Sequence, residues 1–77
     1  MDVNELLDEA IKKTEKLNEG EVFLVKELFK GYIWNRILRR DRLLLGTLFI
    51  NQVNKMDGKG IKAIEKTSSN QQRYMKV

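Results

Sequence analysis

The chain has 77 residues, of which 42% are hydrophobic and 34% are charged, and its formal net charge is +4. That length corresponds to one small domain, because domains usually hold roughly 100–150 residues. The absence of cysteine and histidine excludes disulfides, thiolate metal sites, and the commonest general base and metal ligand. We therefore expect no catalytic role, no cofactor and no small-molecule substrate, and we expect a binding module.

The first predicted element is an acidic amphipathic helix over residues 2–17. Its apolar residues recur at a spacing of three or four, which places them on one stripe of a helix. Asp2 is the expected N-cap, with Glu5 three residues later, and residues 18–20 are the expected stop.

Residues 21–37 are predicted to hold one strand and two short helical segments. Residues 21–25 are β-branched and aromatic, which is typical of a short strand. Residues 26–30 are predicted as one or two helical turns that end at Gly31. Residues 32–37 fit a short helix in which Trp34 serves as a core anchor.

Residues 39–56 are predicted to form a second long helix, and Asp41 is its expected cap. At about 100° per residue, one side of this helix collects the residues expected in the core. Those residues are Leu45, Leu48, Phe49, Gln52, Val53 and Met56. The opposite side collects Arg39, Arg40, Leu43, Gly46, Thr47, Ile50 and Asn54, with Asn51 at its flank.

The C-terminal part is predicted to be a β-hairpin that follows a loop at residues 57–60. Residues 61–66 and 72–77 are strand-like, and the polar residues 67–71 between them are typical of a turn.

This order of elements predicts an α+β fold of the winged helix-turn-helix type, with three helices and a small antiparallel sheet that ends in a β-hairpin wing. We expect one domain over residues 1–77. Its parts are an acidic N-terminal helix at 1–20, a strand and helix-turn-helix at 21–56, and the wing at 57–77. The early strand is expected to pair with the wing, because a free hairpin is marginally stable in water.

Charge is distributed unevenly along the chain. Residues 1–21 carry seven acidic and three basic residues, for a net charge of −4, whereas residues 22–77 carry twelve basic and four acidic residues, for +8. A basic body suits a polyanion, because each contact with a phosphate releases condensed counterions. The alternative is a solvated surface whose lysines maintain solubility.

Three groups of residues are the candidate DNA-binding residues. Arginine forks match phosphate oxygens and the guanine edge, helical polar residues read bases, and a polar hairpin tip can reach phosphates or the minor groove. The groups are Arg36, Arg39, Arg40 and Arg42; then Thr47 and Asn51 on the long helix; then Lys66, Thr67, Ser68, Ser69, Asn70, Gln71, Gln72 and Arg73 in the wing. The alternatives are a salt-bridged helix start and an ordinary polar hairpin loop. Exposed Leu43 and Ile50 would be more typical of a subunit contact.

Several short pieces of the sequence carry a resemblance to known proteins. They are Phe-Leu-Val-Lys-Glu-Leu-Phe at residues 23–29, Trp34-Asn35, Arg42, Leu-Gly-Thr-Leu-Phe at residues 45–49, and residues 66–74. With these pieces, the segment from Phe23 to Tyr74 resembles a family of short single-domain proteins of unknown function in low-GC Gram-positive bacteria and their mobile elements. By size and element order the chain is also similar to the winged-helix accessory proteins of conjugative plasmids. That second resemblance implies binding to transfer-origin DNA, and the first adds weight to the wing as part of the site.

We therefore expect sequence-specific binding to double-stranded DNA, by a plasmid or phage regulator or a conjugative-transfer accessory factor. One copy buries limited surface, so a homodimer or cooperative binding on repeats is expected. The alternative is a protein-binding adaptor or inhibitor encoded by a mobile element. A third option, single-stranded nucleic acid, requires exposed Tyr32, Trp34 and Tyr74.

No apolar run approaches the length of a membrane span, and the first residues lack the pattern of a signal peptide. We expect a cytoplasmic protein that makes no contact with a membrane.

Overall fold

The computed structural model describes residues 2–56 and 59–77, and in these residues it shows an α+β fold. The helices are α1 (Val3–Thr14), α2 (Gly31–Arg36) and α3 (Arg39–Lys55), with a 3-10 helix at Val25–Leu28. The strands β1 (Val22–Phe23), β2 (Ile61–Ala63) and β3 (Tyr74–Lys76) form a three-stranded antiparallel sheet. The α+β prediction, with three helices and a small antiparallel sheet, is confirmed.

Helix α1 begins as predicted and ends about one turn early. The carboxylate of Asp2 accepts a hydrogen bond from the backbone N–H of Asn4 at 2.9 Å, which confirms Asp2 as the N-cap. After Thr14 the backbone N–H groups of residues 15–17 bond to carbonyls three residues back, at 3.1–3.2 Å. This tighter 3-10 pattern replaces the last predicted helical turn. Gly20, with φ of +92°, then redirects the chain toward β1.

Strand β1 is shorter than the predicted strand at residues 21–25. The chain leaves the sheet after Phe23, because the Oε1 atom of Glu27 accepts the N–H of Leu24 at 2.7 Å and starts the 3-10 helix. The helical turn predicted at residues 26–30 therefore begins one residue earlier. The short helix predicted next is confirmed as α2.

The sheet has the order β1-β3-β2, so the early strand pairs with the hairpin as expected. Phe23 of β1 and Ala63 of β2 both lie opposite Tyr74 of β3. The hairpin strands are shorter than predicted, and residues 64–73 between them form a long loop, called here the hairpin loop. Of the loop predicted at residues 57–60, residues 57 and 58 lie outside the described part of the chain.

Helix α3 has one buried side, as its sequence predicts. Leu45 and Phe49 are fully buried, and they share one core with Leu6 and Ala10 of α1 and with Tyr74 of the sheet. Helix α1 therefore covers the buried side of α3. The other side of α3 is exposed, which leaves it available to a partner.

The start of α3 differs from the prediction. Leu38 is the N-cap and its side chain makes no capping hydrogen bond, so the prediction that Asp41 caps the helix is wrong. Asp41 lies instead in the first turn, where its carboxylate interacts favourably with the helix dipole.

Candidate nucleic-acid interface

A groove of about 440 Å³ lies between α3, the hairpin loop and the segment that follows β1. Its lining consists of Leu43, Gly46, Thr47 and Ile50 from α3; Lys66, Asn70, Gln71 and Gln72 from the hairpin loop; and Leu24, Val25, Lys26, Trp34 and Tyr74. The floor is mostly apolar, and the rim carries lysines and amides. Of the predicted site residues, the groove therefore brings together Thr47 of α3 and four residues of the hairpin loop, whereas Asn51, Thr67, Ser68, Ser69 and Arg73 do not line it.

The pairing of β1 with β3 positions the near wall of the groove. Val22 lies opposite Met75 and Phe23 lies opposite Tyr74. The chain leaves the sheet directly after Phe23, and the 3-10 helix that follows brings Lys26 to the groove beside Gln71 and Gln72 of the hairpin loop. Lys26 was missed as a site residue, because the sequence shows it only as part of a helical turn. The expected pairing of the early strand with the wing was the signal that could have found it.

The exposed side of α3 carries the positive charge at one end of the groove. Arg39, Arg40, Thr47 and Asn51 are all exposed. The two arginines lie one helical turn before Leu43, on the same side of the helix. The single acidic residue of α3, Asp41, is half-buried and lies on another side. This side of the helix therefore carries two arginines, exposed leucines and polar residues, and no carboxylate.

The four predicted arginines do not act as one cluster. The guanidinium of Arg36 lies over the ring of Tyr32, at 5.3 Å from its centroid, and both residues are exposed. The guanidinium of Arg42 lies over Trp34 at 5.4 Å, and its Nε atom is buried with no hydrogen-bond partner among the described residues. Phe29 packs near the same indole, at 5.9 Å between ring centroids. Arg42 therefore packs α3 against α2, and Trp34 is a half-buried part of that contact.

Thr67 organises the tip of the hairpin loop. Its Oγ1 atom accepts the N–H of Gln71 at 3.1 Å and lies 3.2 Å from the Oγ of Ser69. Its backbone also accepts the N–H of Asn70 at 2.9 Å, and Asn70 has a φ of 66°. Asparagine tolerates this left-handed conformation better than most residues. The tip is a defined turn, which presents Ser68 to solvent together with its exposed neighbours.

Gln72 and Arg73 hold the base of the hairpin loop. The Nε2 atom of Gln72 donates to the carbonyl of Ile64 and, at 3.0 Å, to the carbonyl of Arg73. The Nε of Arg73 donates to the carbonyl of Glu65 at 3.1 Å, and its Nη2 lies 3.5 Å from the carboxylate of Glu65. These two side chains support the loop, whereas Lys66 is exposed on the groove rim.

Tyr74 anchors the hairpin beneath the groove. Its ring lies 4.8 Å from that of Phe49 in an edge-to-face arrangement and 5.8 Å from that of Phe23. Burial raises the pKa of Tyr74 from 10.0 to about 12, because the phenolate would lose hydration. Since Tyr74 is 1% exposed, it is not a stacking platform for single-stranded nucleic acid.

Alkaline pH is expected to weaken the fold through Tyr74. The folded state holds the phenolic proton more tightly than the unfolded state, so this contribution is intact below about pH 10 and is lost between about pH 10 and 12. Urea unfolding at about pH 9 and about pH 11 should show a larger loss of stability in the wild type than in Tyr74→Phe. Equal losses in the two proteins would contradict the raised pKa.

The fold and groove define a small α+β protein whose long helix and hairpin loop bound one basic-rimmed surface. Residues 8–76 match the family described as a domain of unknown function, DUF1413, and the chain belongs to this family. The resemblance to a small single-domain uncharacterised family is thereby confirmed. No curated protein and no solved structure matches the chain.

No helix within residues 2–56 and 59–77 has the length and apolar character needed to cross a bilayer. In the same ranges, no group of three acidic, histidine or cysteine residues is placed to hold a metal ion.

Proposed function

We propose that the chain is a winged-helix protein that binds double-stranded DNA sequence-specifically. In this proposal α3 is the recognition helix in the major groove, and the hairpin loop is the wing that contacts the adjacent backbone. The element order supports it, since a short helix precedes the long one and a hairpin that shares a sheet with the early strand follows.

The observation that carries the proposal is the separation of charge around α3. The exposed side of α3 bears Arg39 and Arg40 and adjoins a groove whose rim holds Lys26 and Lys66. Helix α1, which carries Glu5, Asp8 and Glu9 against Lys12 and Lys13 for a net charge of −1, covers the opposite, buried side of α3. A phosphate backbone is attracted to the first surface, whereas the weakly negative second surface offers it no such attraction.

The proposed biological role follows the DNA-binding activity. We place the protein in the cytoplasm as a plasmid or phage regulator or a conjugative-transfer accessory factor, without a catalytic role. A 77-residue chain offers limited contact area, so two copies on neighbouring sites would supply the affinity that specific binding requires.

The salt dependence of binding tests the proposal. Fluorescence anisotropy with a short labelled duplex of mixed sequence is measured over a series of salt concentrations. Arg40→Ala and Lys66→Ala should each weaken binding and lower the slope of log affinity against log salt by about 1, because each removes one phosphate contact. Lys12→Ala, which removes the same charge from the exposed surface of α1, should change the slope much less.

Two results would count against this function. Equal effects from Lys12→Ala and the two site variants would show that only net charge matters. If the wild type bound no duplex even at low salt, the alternative function would replace this one.

The alternative is a protein-binding adaptor or inhibitor, and exposed leucines favour it. Leu38, Leu43 and Leu44 are 58%, 64% and 48% exposed. Leu43 also lines the groove, next to its apolar floor. Exposed apolar groups of this size commonly mark contacts with another protein.

A further inference from the structure

The leucines at the start of α3 stand beside the residues proposed to contact DNA. Leu43 and Leu44 are 64% and 48% exposed, and they follow Arg40 by three and four residues. A soluble protein gains no stability from leucine side chains left in water. Their position within the proposed recognition helix therefore calls for a contact with the bound partner.

Five exposed residues of α3 form one narrow stripe. Arg40, Leu43, Leu44, Thr47 and Asn51 are all exposed, and their spacing places them within an arc of about 100° around the helix axis. The major groove of B-DNA is about 12 Å wide and admits an α-helix, so a single stripe of this kind can face the base edges. From its N-terminal end, the stripe carries one arginine, two leucines, one threonine and one asparagine.

Thr47 presents its methyl group more readily than its hydroxyl donor. Its Oγ1 donates to the carbonyl of Leu43 at 3.3 Å, within the helix. That bond uses the only hydrogen-bond donor of the side chain. Thr47 thus adds a third aliphatic group to the stripe, next to Leu43 and Leu44.

The chemistry of this stripe matches one kind of base pair. In the major groove an A·T pair presents the thymine C5-methyl group, together with the N6 donor and N7 acceptor of adenine. Aliphatic side chains contact the methyl group, and asparagine pairs with the adenine edge. A G·C pair offers no methyl group and instead offers acceptors that favour arginine or lysine.

We propose that α3 selects A·T pairs, with Leu43, Leu44 and Thr47 against thymine methyl groups and Asn51 on an adenine edge. This inference rests on the proposed DNA-binding function and names the sequence class that the same surface takes. Arg40 at the start of the stripe then contacts the phosphate backbone or the edge of the site.

Removal of the thymine methyl group tests the inference. Binding is measured to an alternating A·T duplex polymer and to the same polymer with uracil in place of thymine. The two probes differ in the C5-methyl group and carry the same charge. The wild type should bind the thymine polymer about tenfold more tightly, since each of the three methyl contacts, about half removed from water, contributes about twofold.

Paired variants assign the effect to the stripe. Leu43→Ser combined with Leu44→Ser should reduce the thymine-to-uracil ratio to about twofold and leave affinity for the uracil polymer nearly unchanged. Leu38→Ser is the matched control, because Leu38 is 58% exposed and lies outside the stripe. Serine is favoured at the N-cap position that Leu38 occupies. The thymine-to-uracil affinity ratio of this control variant should stay at about tenfold.

Each other outcome has a definite meaning. Equal affinity of the wild type for the two polymers overturns the inference and leaves the proposed function standing. Failure to bind either polymer at low salt ends the proposed function and the inference together. An unchanged ratio in the double variant, with loss of a dimer in sedimentation velocity, assigns the leucines to a contact between copies and also overturns the inference.

Discussion

The Phe49→Ala variant is expected to lose about 3–5 kcal/mol of its free energy of unfolding. Phe49 is fully buried, and its ring meets those of Tyr74 and Phe23 at 4.8 Å and 6.3 Å. The substitution removes a large apolar side chain and two edge-to-face aromatic contacts between α3 and the sheet. A domain of 77 residues has roughly 4–12 kcal/mol of total stability, so the variant should lose a large fraction of it.

Urea unfolding followed by circular dichroism measures this effect. Leu43→Ala is the control on the same helix, because Leu43 is 64% exposed and its truncation should cost under about 0.5 kcal/mol. A loss below about 1 kcal/mol in Phe49→Ala would show that the aromatic contacts between α3 and the sheet are not formed in solution.

The sequence predicted the two long helices because apolar residues recur at a spacing of three or four in each, although α3 also exposes Leu43 and Leu44. In α3 the spacing separated buried Leu45 and Phe49 from exposed Arg40 and Thr47. The pairing of β1 with the hairpin was also predictable, since neither a two-residue strand nor a free hairpin is stable alone. These features depend on burial, which periodicity reports directly.

The ends of elements were predicted less well because local side-chain hydrogen bonds decide them. The carboxylate of Glu27 accepts a hydrogen bond from the N–H of Leu24, which ends β1. The side-chain amide of Gln72 donates to the carbonyl of Ile64 at the base of the hairpin loop. Asp41 has the chemistry of a cap, yet the helix begins two residues before it. Composition alone does not reveal which polar group a side chain will reach.

The candidate site was predicted in part. The sequence named Thr47 and Lys66, and the fold brings both to one groove. It did not name Lys26, whose place depends on long-range strand pairing. It grouped Arg42 with the exposed arginines, although the guanidinium packs on Trp34. A run of arginines shows charge, and only the helix geometry shows which of them face the solvent.

Reversing the charge at the start of α3 is expected to weaken the binding of DNA strongly. The Arg39→Glu/Arg40→Glu variant should bind the mixed-sequence duplex about 100-fold more weakly than the wild type at about 0.15 M salt. Two lost phosphate contacts account for roughly 30-fold at this salt concentration, and the new carboxylates repel the phosphates as well. Fluorescence anisotropy titration over a series of salt concentrations measures the change.

The matched control is Lys12→Glu/Lys16→Glu, which changes the net charge by the same amount on and just after α1. Glutamate is favourable in the first turn of α3 and unfavourable near the C-terminal end of α1, so the control is the less stable of the two variants. A larger loss of DNA affinity in the α3 variant therefore cannot come from unfolding. If both variants lost affinity equally, DNA would respond to the net charge of the protein, and the exposed side of α3 would not be its binding surface.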